Sequence, residues 1–244
     1  MAVYQQINGT HWRNIWVAGD LHGCYSLLMN KLSGIGFSWQ EDLLLSVGDL
    51  TDRGSENLPC LELLNQLWFQ AIRGNHEEMM LDALHRGGNT SLWLINGGDW
   101  YFRLAGEDQQ RVRSLLRQVA ALPLILEVRS QNKRYVICHA DYPADHYAMD
   151  QPIDEEKVVW SRERITAAQR GRSQHISGAE GFIFGHTPLS TPLHIANQHY
   201  IDTGAVFNGH LTLMQIQGNR MREGKKQKKQ IQRDWFVSKI IHSG

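Results

Sequence analysis

Disulfide bonding is the first thing this chain has little capacity for. Its three cysteines, Cys24, Cys60 and Cys138, are widely spaced and form no Cys-x-x-Cys pair, which excludes a disulfide framework. They are expected to be free thiols in a reducing compartment, and none is assigned to a site. Long apolar runs are missing as well. No stretch approaches the roughly 20 residues that cross a bilayer, and Met1 to Asn14 lacks the apolar core of a secretory leader. The expected setting is the cytoplasm. Charge of one sign is also not in excess: Lys and Arg number 25 against 25 Asp and Glu, so the whole chain does not present itself as a nucleic-acid binder. No repeat of solenoid length is visible. What is there is apolar residue in quantity, 42% of 244 residues, enough to bury one sizeable α/β core.

Short aliphatic runs repeatedly enter a Gly-containing loop and then a segment with helical spacing, the pattern of βαβ units. Asn14 to Ala18 is a predicted strand that enters Gly19-Asp20-Leu21-His22-Gly23, and a helix follows from Tyr25 to Ile35. Leu43 to Val47 repeats the move into Gly48-Asp49-Leu50-Thr51-Asp52-Arg53-Gly54, followed by a predicted helix from Glu56 to Leu67 with Leu58, Leu61, Leu64 and Leu67 on one face. Phe69 to Ile72 then enters Arg73-Gly74-Asn75-His76-Glu77. Strand-end loops of this kind collect along one edge of an α/β sheet, where such folds bind ligands.

From about Gly87 to Leu122 the chain reads as a helical insert that could cap that edge. Trp93 and Trp100, near the Gly97-Gly98 turn, are expected to be its core. Further strands are predicted at Leu124–Val128, Arg134–Cys138, Gly181–Phe184, His199–Ile201 and Leu211–Ile216, two of which end in histidine, at His139 and His186. The architecture expected is a mixed, sandwiched β-sheet flanked by helices. Residues 1–217 would form the one folded domain and 218–244 a basic tail around Lys225-Lys226-Gln227-Lys228-Lys229. The tail is read first as a solvated segment, with nucleic-acid contact as the secondary reading.

One Asp-x-His loop would mean little, since acids and histidines are common in turns. Five polar strand ends together are different. Asp20, His22, Asp49, Asn75, His139 and His186 make a mixed oxygen and nitrogen set suited to two borderline divalent metals. Two nearby cations repel, so an anion must lie between them, and Asp49 is the candidate bridge. Asp20 and His22 go with one ion, and Asn75, His139 and His186 with the other. Neither set completes an octahedron, which leaves room for water, a bridging hydroxide and substrate oxygens. Arg53, Arg73 and Arg162 are candidate forks for phosphate oxygens. His76 adjoins Asn75 without being needed as a ligand, and its imidazolium could protonate a poor leaving group, with Asp52 holding the ring in that form.

On these loops, together with Tyr135-Val136-Ile137-Cys138-His139-Ala140-Asp141-Tyr142, Arg162-Glu163-Arg164 and Gly185-His186-Thr187-Pro188, the chain resembles the phosphoprotein phosphatase family of metallophosphoesterases, in particular its lambda-type phage and bacterial branch. The likeness runs from the N-terminus to about Gln217. It implies a manganese-dependent phosphatase with a β-sandwich core, active on phosphoserine and phosphothreonine in phosphoproteins and often on phosphotyrosine, and a monomer is expected. Symmetrical dinucleoside tetraphosphate hydrolases resemble the same pattern but typically carry Ala where this chain has Asp52, so they stand second. A silent phosphoprotein- or nucleic-acid-binding module stands third, because no ligand position is lost.

Overall fold

The computed structural model describes residues 3–130, 132–172 and 174–218. Among these, ten strands form two mixed sheets. In the four-stranded sheet β2 (Asn14–Ala18), β3 (Asp42–Ser46) and β4 (Phe69–Ala71) run parallel, and β10 (Leu213–Gln217) closes the other side antiparallel to β2. The six-stranded sheet has the order β1 (Tyr4–Asn8), β5 (Ile125–Ser130), β6 (Lys133–Cys138), β7 (Gly181–Phe184), β9 (Gln198–Tyr200) and β8 (Leu193–Ile195).

Alternation along the strands decides what lies between the sheets. Ile15 and Val17, Leu43 and Leu45, Leu126 and Val128, Tyr135 and Ile137, and Met214 and Ile216 point inward and form one apolar layer. The opposite faces are covered too. Trp16, Ala18 and Leu44 meet Leu28 and Leu32 of α1 (Tyr25–Gly34), while Val136, Cys138, Phe182 and Phe184 meet Val158 and Val159 of α6 (Glu155–Trp160) and Ile165 and Ala168 of α7 (Glu163–Gln169). Strands covered on both faces carry unbroken apolar sequence, which is why Leu43-Leu44-Leu45 does not alternate. Each fully buried aliphatic side chain contributes about 1.5–3 kcal/mol.

The expected helix after the second loop is shorter than its leucine spacing suggested. It is α2 (Asn57–Glu62), continued by a 3-10 turn at Leu63–Asn65, and Leu67 is 91% exposed. Gln66 is extended because the chain must turn there to enter β4. The edge strands β1 and β8 were not expected from sequence. β1 buries only Ile7 and β8 is three residues long, so neither carries a period-2 signal. The insert consists of α4 (Thr90–Ile95), a 3-10 segment at Gly98–Arg103 and α5 (Gly106–Ala121), packed through Trp93, Trp100, Tyr101, Val112 and Leu116 onto Leu58, Leu61 and α3 (Asn75–Leu81). The basic-tail expectation falls, from residue 219 onward, outside the described residues.

Candidate active site

Five strands deliver the predicted ligands at their carboxyl ends. Asp20 and His22 follow β2, Asp49 follows β3, Asn75 opens α3 after β4, His139 follows β6 and His186 follows β7. All six are buried. The loops that carry them are strained: His22, Asp49, Asp52, Arg53 and His186 all have positive φ, a conformation that costs non-glycine residues about 1 kcal/mol or more. Gly48 has φ of 95°, and a Cβ there would lie 2.7 Å from the Gly74 backbone nitrogen, so glycine lets the Asp49 and Asn75 loops close on each other.

Asp49 is at the centre. Its Oδ1 lies 3.3 Å from His139 Nε2, and its Oδ2 lies 3.6 Å from His22 Nε2 and 3.9 Å from His76 Nε2. One oxygen thus faces each of two donor groups, His22–Asp49–His76 and Asp49–His139–His186, whose ligand atoms lie within 4.8 Å of one another. Asn75 Oδ1 joins the second group, 2.9 Å from His139 Nε2 and 3.0 Å from His186 Nδ1. Asp20 belongs to neither tight group, and its carboxylate accepts the His186 backbone N–H at 3.0 Å.

The electrostatics show what this arrangement needs. The His139 Nδ1–H donates to the Val47 carbonyl at 2.7 Å, so in neutral His139 the Nε2 lone pair faces the Asn75 and Asp49 oxygens. In that form the His139 Nε2 lone pair and these oxygens face one another with no proton between them, an arrangement that positive charge relieves. Burial lowers the His139 pKa, but the Asp49 carboxylate outweighs it and raises it to about 10. Burial also pushes Asp49 up, yet His139, His76 and His22 hold it well below the ordinary carboxylate range. His22 also meets positive charge: its Nδ1–H donates to the Thr51 carbonyl, and Arg53 Nη1 donates to its Nε2 at 2.6 Å. The donors present therefore fit two divalent ions sharing Asp49.

Beside this cluster His76 Nδ1 lies 2.6 Å from Asp52 Oδ2, with both side chains buried. Burial raises the Asp52 pKa, against hydrogen bonds from His76, Trp100 and Trp93. The arginines divide. Arg53 is exposed, with its guanidinium 5.6 Å above the exposed Phe207 ring. Arg162 is exposed at the start of α7 (Glu163–Gln169), near enough to His186 to help lower its pKa to about 3, after burial and His139. Arg73 is buried instead: its Nε pairs with Glu78 at 2.6 Å and its Nη1 donates to the Ala120 carbonyl, so the structure does not bring it alongside the other two.

The calcineurin-like phosphoesterase model matches residues 13–211, the span that holds every one of these side chains. The chain belongs to the calcineurin-like phosphoesterases. Within this family it is 51% identical over 215 residues to serine/threonine-protein phosphatase 1 of Salmonella typhimurium, covering 88% of this chain and 97% of that protein. An asymmetrical bis(5'-nucleosyl)-tetraphosphatase of a Geobacillus species is 28% identical, over 80% of this chain and 87% of that one. The fold is shared with a protein serine/threonine phosphatase of Saccharomyces cerevisiae similar to human phosphatase PP5, with TM-score 0.56 and 17% identity, covering 87% and 76% of the two chains.

Sequence reasoning missed the roles of five residues that shape this phosphoesterase site. Glu77 accepts the backbone N–H groups of Asp49, Leu50 and Gly74 at 2.8 to 2.9 Å, stapling the second and third loops together. Its place at the third position of α3 was a capping signal that could have been read. Asp202, at the end of β9, is a buried carboxyl raised to about 6, by burial first, whose charge in turn raises Asp20. Trp93 and Trp100 are core residues as expected, but both indoles also donate to Asp52. Arg164, left unassigned from sequence, pairs with Asp141 at 2.8 Å and anchors α7 behind Arg162.

Proposed function

We propose that this chain is a metal-dependent protein phosphatase that hydrolyses phosphoserine and phosphothreonine monoesters in phosphoproteins, with two divalent ions, manganese by preference, as cofactors. The observation that carries the reading is the buried Asp52–His76 pair set against the Asp49-centred ligand cluster. When bound, the ions would supply Lewis-acid charge and a water acidified toward neutral pH. Asp20, His22 and Asp49 would hold one ion, and Asp49, Asn75, His139 and His186 the other. Exposed Arg53 and Arg162 would hold the nonbridging phosphate oxygens and stabilise the charge that develops on them. As the ester P–O bond breaks, His76 Nε2 gives its proton to the departing serine oxygen, and Asp52 stabilises the imidazolium through Nδ1–H. Residues 1–217 suffice for this assignment, and the enzyme is proposed to be a cytoplasmic monomer.

Tetraphosphate hydrolysis is the second reading, supported by the 28% identical tetraphosphatase. It gives the Asp52–His76 pair less to do, because a nucleotide leaves as a stable anion and needs little protonation, whereas a serine alkoxide needs it. The decisive experiment assays protein reloaded in turn with Mn, Fe, Zn, Mg and Ni on phosphoserine, phosphothreonine and phosphotyrosine peptides and on diadenosine tetraphosphate. Phosphopeptide turnover exceeding tetraphosphate turnover is expected. The reverse order would overturn the phosphatase reading.

A further inference from the structure

The Asp52 carboxylate accepts more hydrogen bonds than an orienting partner for one histidine requires. Trp93 Nε1 donates to Oδ2 at 2.9 Å and to Oδ1 at 3.1 Å, and Trp100 Nε1 donates to Oδ1 at 2.7 Å, in addition to His76 Nδ1 on Oδ2 at 2.6 Å. Asp52 is 0% exposed, so these contacts replace solvent around its oxygens. An indole N–H can only donate, so both tryptophans recognise the carboxylate by its acceptors.

The backbone shows why such support is needed. Asp52 and Arg53 are consecutive non-glycine residues with φ of 75° and 69°, a conformation the loop would not hold unaided. Both are gripped from one stretch of the insert. The two indoles come from α4 and the following 3-10 segment, edge to face with ring centroids 6.3 Å apart. Between them in sequence, the Gly97 carbonyl accepts the Arg53 backbone N–H at 3.3 Å. Gly98 lies flat on the Trp93 indole, where an added Cβ would collide with the ring.

We infer that Trp93 and Trp100 are positioning residues for proton donation: the insert clamps the Asp52 carboxylate through two indole N–H groups and thereby sets the orientation of His76. The inference rests on the proposed acid role of His76 and goes beyond it, making the insert a part of the catalytic apparatus in addition to a packed cap. Volume is not the point; the N–H group is. Phenylalanine at either position keeps the aromatic packing and removes the donor.

The test compares Trp93→Phe, Trp100→Phe, the double variant, Asp52→Asn and His76→Asn on a phosphoserine peptide and on nitrophenyl phosphate, with bound metal counted in each. Each single tryptophan variant is expected to lose about tenfold more turnover on phosphoserine than on nitrophenyl phosphate, the equivalent of one hydrogen bond to a charged group. The double variant should approach the selectivity of His76→Asn, with metal content as in the parent. In the metal-free protein, Asp52→Asn should move both indole N–H proton resonances upfield, a readout independent of turnover and of whether the double variant folds. Equal losses on both substrates in the tryptophan variants, with His76→Asn still selective, would overturn this inference and leave the acid role standing. Equal losses in His76→Asn itself would overturn both. Indole resonances that ignore Asp52→Asn would also overturn the clamp.

Discussion

Asp49 shows how one side chain can decide a site. Its two oxygens face two different histidine groups, 3.3 Å from His139 and 3.6 Å from His22, whereas Asp20 faces the His186 backbone N–H. A bridging carboxylate screens the repulsion between the ions, and a terminal one serves a single ion. Asp49→Asn should therefore lose both ions and more activity than Asp20→Asn, which should retain more metal; elemental analysis and turnover of both variants check this. An Asp49→Asn protein that keeps two tightly held ions would remove the bridge. His76 can be separated from the ligands by the same measurement. Its Nε2 stands 3.9 Å from Asp49, within the same donor group as His22, but as the proposed acid it is not needed to hold an ion, so His76→Asn should keep its metal and slow phosphoserine by about 10²–10⁴-fold.

Among the elements, the pairing of β8 with β9 carries a pH-sensitive histidine. His194 and His199 face each other in register and stack with ring centroids 4.1 Å apart. Burial, and then the neighbouring His194, lower the His199 pKa to about 3. The unfolded chain binds that proton near pH 6.5 and the folded one only near 3, so the unfolded state holds more protons between these values and stability falls as pH drops through the window. His22 and His186, also lowered to about 3, add to the same slope in metal-free protein. Replacing His199 with Phe should shrink the loss between pH 6.5 and 4 by an amount on the order of a few kcal/mol. Urea unfolding of both proteins at several pH values measures it, and parallel pH curves would show that His199 does not contribute.

At the scale of the whole molecule, the two sheets and the insert meet around a cluster of buried carboxyls and lone pairs. Asp20 and Asp202 are both raised in pKa, by burial first and by neighbouring carboxylates. Cations that bind there only in the folded state should raise stability by about 2.7 kcal/mol at a hundredfold excess over the dissociation constant, or about 5–10 °C in Tm for a chain of this size. Chelation should lower Tm by that amount and manganese should restore it; a Tm indifferent to chelator would contradict a binuclear site. Removing residues 219–244, which follow every proposed catalytic side chain, should leave turnover of a small aryl phosphate unchanged. Loss of that activity in a folded truncated protein would bring the tail into the site.

From sequence alone, the β2, β3, β4 and β7 strand ends and their ligand candidates could be read, because a Gly-flanked polar loop after an aliphatic run is a local pattern, and His139 could be read as the polar end of the aliphatic β6 run. Asp52 and His76 were legible as a pair for the same reason, each lying three residues or fewer from a ligand candidate. Tertiary structure alone decided the rest. No local rule says that the carboxyl ends of strands from two sheets converge, that Glu77 staples Asp49 to Gly74, or that Arg73 turns away to Glu78. Trp93 and Trp100 have the spacing of ordinary core residues, and burial hides the difference between an indole that only packs and one that also donates. That difference depends on where a carboxylate 41 and 48 residues earlier in the chain points its oxygens, and packing of the insert on the loop sets that direction.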